Sequence, residues 1–283
     1  MQLAFPVPRV EIPAFPRDDV MLLAVLAAVV LLPLPFIIAT FIIVGQSHFL
    51  MTFIYQYRGG KMNHRYLLVA AGLALGIVAY FVFVGEVVPV AVVAGLGFAA
   101  HFARDEFYLR GERLDVRAWS TIAGFLLVFF ATATASILGP GLGFLPLLVT
   151  FVVLGGMCVR VATHRPPSAT ERYLWIAMLL IVALSLAFGL AIQILAAVSL
   201  LHCLNWMVGY GRKVRPDAVR RAGYWRATAL TFLLSVSLYF LWSEGGVGFL
   251  QYFFLLTYWY VGAIAHFVLT STVVSGAKRP LSA

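Results

Sequence analysis

The chain has 283 residues, of which 63% are hydrophobic and 11% charged. A soluble globular domain carries about 25% charged and about 45–50% apolar residues. A fold of this size has too little interior to hide the surplus, which excludes a water-soluble enzyme and a disordered chain and leaves an all-α polytopic membrane protein. The formal charge of +9 then belongs to topology anchors, and nucleic acid is not an expected partner because no soluble domain exists to carry such a surface.

Residues 1–19 hold four prolines and five charged residues. They lack the compact basic start and early apolar core of a secretory signal and read as a cytoplasmic arm. Residues 20–274 form one transmembrane domain, and residues 275–283 read as a cytoplasmic tail. A spanning helix needs about 20 apolar residues, so punctuation must divide the long apolar run. Strong breaks fall at Arg58–Arg65, Arg104–Arg117, Arg165–Arg172 and Arg212–Arg226. Subtler reversals fall at Pro33–Pro35, Gly85–Pro89, Gly139–Gly143, Gly189 and Glu244–Gly248, where proline and glycine interrupt the pattern. The expectation is about ten transmembrane helices in five hairpins, the fourth reversal resting on one glycine.

In that arrangement the inner segments carry 2, 3, 4, 3, 6 and 2 basic residues, all 20 of the Lys and Arg, and the outer turns carry none. Basic residues are retained on the cytoplasmic side, so both termini are expected to be cytoplasmic. Without a targeting peptide, the bacterial inner membrane is the expected location. The loop GRKVRPDAVRRAGYWR, with six basic residues, is expected to meet anionic lipids at the inner surface.

Four inward-running segments end alike: GQSHFLMTFIYQYRGGK, AAHFARDEFYLRG, LLHCLNWMVGYGRK and AIAHFVLTSTVVSGAKR. Each has a small or apolar stretch, a histidine, aromatic or polar residues, and then basic residues. A fifth, LGGMCVRVATHR, has Met157 and Cys158 where a histidine would fall. The spacing fits repeating hairpins of roughly 50 residues, and internal repeats are common in membrane folds. His48 and His202 each precede an arginine by ten residues and His266 precedes Lys278 by twelve, whereas Arg104 follows His101 by only three. His64 and His164 stand beside Arg65 and Arg165 and read as surface residues.

An imidazole in hydrocarbon must find a partner. Four at similar depth, each on a different helix, find one another if those helices pack together. Neutral imidazole is the commonest metal ligand, and four converging suit iron, copper or zinc. His48, His101, His202 and His266 are therefore the expected metal ligands. Asp105 shares a helical face with His101, and Asn205 shares one with His202. Thr52 and Thr270 each follow a histidine by four. Asp105 is expected to be a fifth ligand or to hold a ligand imidazole, while Glu106 is turned away by about 100 degrees. Arg104 and Arg160 approach the same layer and suit an anionic head group or carboxylate. Asp105, Arg104 and Asn205 are thus the expected catalytic residues.

Tyr55, Tyr57, Phe107, Tyr108, Trp206 and Tyr210 crowd the histidine level, where an interfacial aromatic belt is the plain reading. Tyr258, Trp259 and Tyr260 lie deeper and could line an apolar pocket. The glycines of the GLG run, Gly95 and Gly97, and the Gly155–Gly156 pair are expected to permit close helix packing. Cys158 and Cys203 form no metal or disulfide pattern.

The chemistry that suits such a layer is oxidation of a lipophilic substrate, a lipid or isoprenoid reaching non-haem iron sideways from the bilayer, with the electron donor unspecified. In kind, the pattern resembles the membrane-embedded histidine-rich oxygenases. The HF pairs in GQSHF, AAHFARDE and AIAHF are similar to those of membrane carotenoid-cleaving dioxygenases, a likeness of two or three residues per motif that assigns no family. Two other classes fit less well. A transporter of a metal ion or small solute would place ionisable groups near mid-membrane, and none is there. A haem protein would use two of the four imidazoles as axial ligands.

Overall fold

The computed structural model describes residues 24, 28, 31–58, 64–86, 88–164, 166–189, 191–213, 218–250 and 261–270. Among these residues the chain is all-helical, with no strand. In chain order the helices are α1 (Leu34–Arg58), α2 (His64–Phe83), α3 (Val88–Leu109), α4 (Val116–Leu142), α5 (Phe144–His164), α6 (Ala169–Phe188), α7 (Ala191–Lys213) and α8 (Ala218–Ser243). A short 3-10 turn follows at Gly248–Leu250, and then α9 (Val261–Thr270). The expected arm, residues 1–19, and tail, residues 275–283, lie outside the described residues. So do Tyr258, Trp259, Tyr260 and the Arg160 side chain.

Five helices are long and apolar enough to cross a membrane: Leu34–Tyr55, Val116–Gly139, Ala169–Phe188, Gln193–Arg212 and Ala218–Ser243. Leu67–Phe83, Phe144–Val159 and Val261–Thr270 are apolar but shorter. The outside of the bundle is oily. Leu68 and Val82 on α2, Val152 on α5 and Leu230 on α8 are each at least 65% exposed. A soluble monomer does not display apolar surface on this scale.

The sequence punctuation acts through identifiable local chemistry. The α4 start is capped by Asp115, whose carboxylate accepts from the Ala118 N–H at 2.8 Å. Ser168 and Glu171 form a reciprocal capping box at the start of α6. Glu112, in the loop before α4, accepts from the Ser168 hydroxyl at 2.6 Å and from the Thr170 N–H. Arg117 pairs with Glu171 at 3.2 Å. These contacts fix the α3–α4 loop against the N-terminus of α6, where carboxylates also face the favourable end of the helix dipole.

At the other end of the bundle, α4 ends through Gly139 at φ 74 and ψ −177, just before Pro140, and α5 begins at Phe144. The lone glycine expected to reverse the chain after α6 ends that helix. Gly189 is the α6 C-cap in the left-handed conformation, and its N–H bonds the Ser185 carbonyl at 3.0 Å.

The core runs through α1, α3, α4, α6 and α7, with Phe102 stacked on Phe125 at 4.8 Å. Consecutive helices from α3 to α8 pack against one another, and α1 packs on α7 and α8. The GLG glycines permit close approach as expected. A Cβ on Gly95 would come within 2.8 Å of the Phe129 ring, and one on Gly97 within 3.2 Å of Phe267. The Gly155–Gly156 pair does not act this way: a Cβ at either position would meet nothing within 4 Å. Their neighbours Leu154, Met157 and Cys158 do pack on the core, so the helix is held there by larger side chains.

A β-carbon in the left-handed region costs about 1–2 kcal/mol, and asparagine tolerates it best. Gly189→Ala should therefore lower the apparent melting temperature in detergent, and Gly189→Asn should lower it less. Identical melting of all three proteins would show that this reversal does not need its left-handed residue.

Candidate metal centre

Each predicted histidine occupies a different helix, His48 on α1, His101 on α3, His202 on α7 and His266 on α9. All four are buried, none more than 4% exposed. Their rings form a closed quadrilateral. Going round it, the centroid separations are 4.8 Å from His48 to His266, 5.0 Å from His266 to His101, 5.0 Å from His101 to His202 and 5.4 Å from His202 back to His48. The Nε2 of His266 lies 3.2 Å from the Nε2 of both His48 and His101. His48, His101 and His202 each offer a ring nitrogen within 4.8 Å of the others.

Hydrogen bonding among the rings accounts poorly for this arrangement. A neutral imidazole nitrogen carries either one proton or one lone pair, so the Nε2 of His266 is not well matched to two equidistant ring nitrogens. Among the described residues, neither nitrogen of His202 has a hydrogen-bond partner, nor has the Nδ1 of His48 or of His266. Buried polar atoms without partners are costly in an apolar interior. An ion held by imidazoles at about 2.0–2.1 Å in a tetrahedral shell sets neighbouring nitrogens about 3.3 Å apart. The 3.2 Å spacing of the His48, His266 and His101 Nε2 atoms fits such an ion, and a nitrogen of His202 is available to join them.

The rings are jacketed by aromatic side chains in a cyclic order. Phe49, next to His48, packs on His266 at 4.8 Å. Phe267, next to His266, packs on His101 at 5.1 Å. Phe102, next to His101, packs on His202 at 5.4 Å. The residue after His202 is a cysteine, and the cycle is completed by Trp206, one turn further along α7, which meets His48 at 4.9 Å. Phe98 adds an edge contact to His202 at 5.6 Å. Sequence reasoning did not assign this jacket, although the repeated HF dipeptide was its visible trace.

The polar residues expected at the centre divide into two groups. Asp105 belongs to it. Its Oδ2 lies 3.4 Å from the Nε2 of His101, and Arg104 approaches its Oδ1 at 3.9 Å. Thr270 also approaches, with its hydroxyl 3.4 Å from the Nδ1 of His101 and bonded to the His266 carbonyl. Thr52 donates to the His48 carbonyl of its own helix.

Asn205 is directed elsewhere. Its amide donates to the Glu106 carboxylate at 3.2 Å and contacts the Tyr173 hydroxyl at 3.1 Å. Glu106, turned away from Asp105 as expected, is 1% exposed and ion-pairs with Arg110. The Arg110 guanidinium lies over the Tyr173 ring at 4.5 Å. Glu106, Arg110, Asn205 and Tyr173 form a second polar cluster that ties α3 to α6 and α7 beside the imidazoles. His64 is exposed, as expected of a surface residue.

No protein-family model, curated protein or solved structure matches the chain. Its chemistry therefore has to be read from its own side chains.

Removing one partner of a buried ion pair costs about 3–5 kcal/mol, because it strands the other charge. Arg110→Met should destabilise strongly, and Glu106→Gln/Arg110→Met should regain most of the loss. Thermal unfolding of the four proteins of the cycle checks this. Additive losses would mean that the two side chains do not act as a pair.

Proposed function

We propose that the protein is an integral membrane oxidoreductase that holds one iron ion on His48, His101, His202 and His266 and acts on a lipophilic substrate such as a lipid or isoprenoid. The observation that carries this reading is the convergence of four imidazoles inside an aromatic jacket, with the Nε2 of His266 3.2 Å from the Nε2 of both His48 and His101. Three Nε2 atoms crowd together at spacings too close for each to have its own hydrogen-bond match, and among the described residues neither nitrogen of the adjoining His202 has a partner. A single ion matches that space better than haem, because nitrogens 3.2 Å apart leave no room for a macrocycle between axial ligands. The four donors gather at one locus, which favours a resident ion over a conducted one.

Iron in such a site supplies Lewis acidity and one-electron chemistry with dioxygen, which dissolves well in hydrocarbon. The remaining roles fall to the chain. Phe49, Phe98, Phe102, Trp206 and Phe267 exclude water and fix the ring orientations. The Asp105 carboxylate stands beside the Nε2 of His101, the nitrogen that also faces His266, which suits a fifth ligand; Arg104 approaches that carboxylate in turn, and Thr270 stands at the outer Nδ1 of His101 as the positioning residue. Asn205 acts at one remove, through Glu106, by setting α7 against α3.

This reading takes ten spans in five hairpins in a bacterial inner membrane, with both termini cytoplasmic. The basic surface around Arg212–Arg226 then meets anionic lipids. The substrate arrives from the bilayer, and electrons come from a donor that the chain leaves open.

Purified protein should contain about one iron per chain by elemental analysis, without a Soret band. Each of the four His→Ala variants should lose it, and Asp105→Asn should retain it with weakened affinity. Protein free of iron, copper and zinc whose four variants melt like the parent would sink the metal reading. A Soret band would replace it with haem. Topology is checked separately in a Cys158→Ser/Cys203→Ala background. An impermeant maleimide on intact cells should label Glu86→Cys and Glu244→Cys, and should label Arg113→Cys only after the cells are opened. Labelling of Arg113→Cys on intact cells would reverse the orientation.

A further inference from the structure

A cavity of about 390 Å³ opens between the ends of α4 and α6 and the starts of α5 and α7. None of the four histidines lines it. On α7, Gln193 at the cavity precedes His202 by nine residues, about 13 Å along the helix axis. It is a separate site, of a size that holds a small ligand.

The cavity exists because the backbone breaks there twice. Gly139 leaves helical geometry, and the residue four after Ser136 is Pro140, which has no N–H to give the Ser136 carbonyl. Gly189 ends α6, and α7 starts two residues later, so helix-terminal C=O and N–H groups gather in one region. Small residues at 135, 139, 143 and 189 leave the space unfilled.

Its wall carries one unmet polar demand. Ser185 is 3% exposed, and among the described residues its hydroxyl has no hydrogen-bond partner. Ser136, in contrast, is satisfied by the Thr132 carbonyl. Gln193 adds an amide, Leu147 and Leu186 add apolar surface, and no charged side chain lines the cavity. A buried hydroxyl donor in an uncharged, partly apolar hollow selects a neutral oxygen acceptor on an apolar body. It selects against phosphate, carboxylate and ammonium groups, which would be stripped of water with no counter-charge.

We infer that this cavity binds an uncharged amphiphile whose hydroxyl or ester-carbonyl oxygen accepts a hydrogen bond from Ser185 and whose chain lies along Leu147 and Leu186. Two sources share that chemistry: a free long-chain alcohol and a neutral glycerolipid of the bilayer. The site is independent of the metal reading, since it uses none of the same residues.

The test is photolabelling of the full chain in detergent with three diazirine probes of matched chain length: hexadecanol, diacylglycerol and hexadecane. Adducts are mapped by peptide mass spectrometry. Saturable labelling within residues 135–147 and 185–193 by hexadecanol or by diacylglycerol is expected, and whichever labels at lower concentration identifies the source. Ser185→Ala should raise the half-saturating concentration at least fivefold, and Ser185→Leu, which fills the hollow, should abolish labelling there. Metal content and melting temperature of Ser185→Ala should match the parent, so a failure here is distinct from a failure of the metal reading. Equal labelling by hexadecane, an unchanged half-saturation in Ser185→Ala, or adducts confined to other segments would each overturn the proposal.

Discussion

An imidazole cannot sit in an oily interior without something for its nitrogens to do. That constraint governs the molecule. Four histidines come from helices spread across most of the chain, and the core around them is predominantly aliphatic and aromatic. The packing that brings the four rings together also removes the water that would have satisfied them. Every helix carrying a ring must therefore meet the others at the correct height and rotation. The Glu112–Ser168 lock, the Glu106–Arg110 pair and the close contacts at Gly95 and Gly97 all bear on α3, which carries His101 and Asp105. The polar clusters beside the rings thus act as alignment devices for them.

The electrostatic layout divides the site into unlike halves. On the His101 side stand Asp105, Arg104 and Thr270. On the side of His48 and His202 stand Trp206, Phe98 and Phe102, with no charged neighbour among the described contacts. On the proposed reading, a lipophilic substrate would meet polarity from one direction and hydrocarbon from the other.

The sequence made the histidine quartet legible because an apolar run leaves few explanations for a buried imidazole. The lone Gly189 was readable as a reversal because only glycine takes the left-handed cap without penalty. Asn205 shows where such reading ends. Spacing places it on the His202 face, yet a helical face is broad, and its amide reaches α3 and α6 instead. Glu106 was correctly turned from Asp105, but no helical wheel could supply Arg110 and Tyr173 as its partners. The Gly155–Gly156 pair was misjudged because the contact on this stretch of α5 is made by Leu154, Met157 and Cys158, while a Cβ on either glycine would meet nothing within 4 Å among the described residues. The aromatic jacket lay in plain view as HF dipeptides. Its role depends on the circular order of four helices, which local sequence does not encode.

That circular order has a consequence for how the protein is made. His48 and His266 touch across 218 residues of chain, and each ring is covered by a side chain from the helix before it in the circle. The ring cannot close until α9 has left the ribosome and joined its neighbours. Until then three imidazoles wait on helices already threaded into place, one of them lacking its cover. On the proposed metal reading, loading of the centre would be coupled to completion of the polypeptide, and a nascent chain stalled before residue 266 would carry an incomplete donor set.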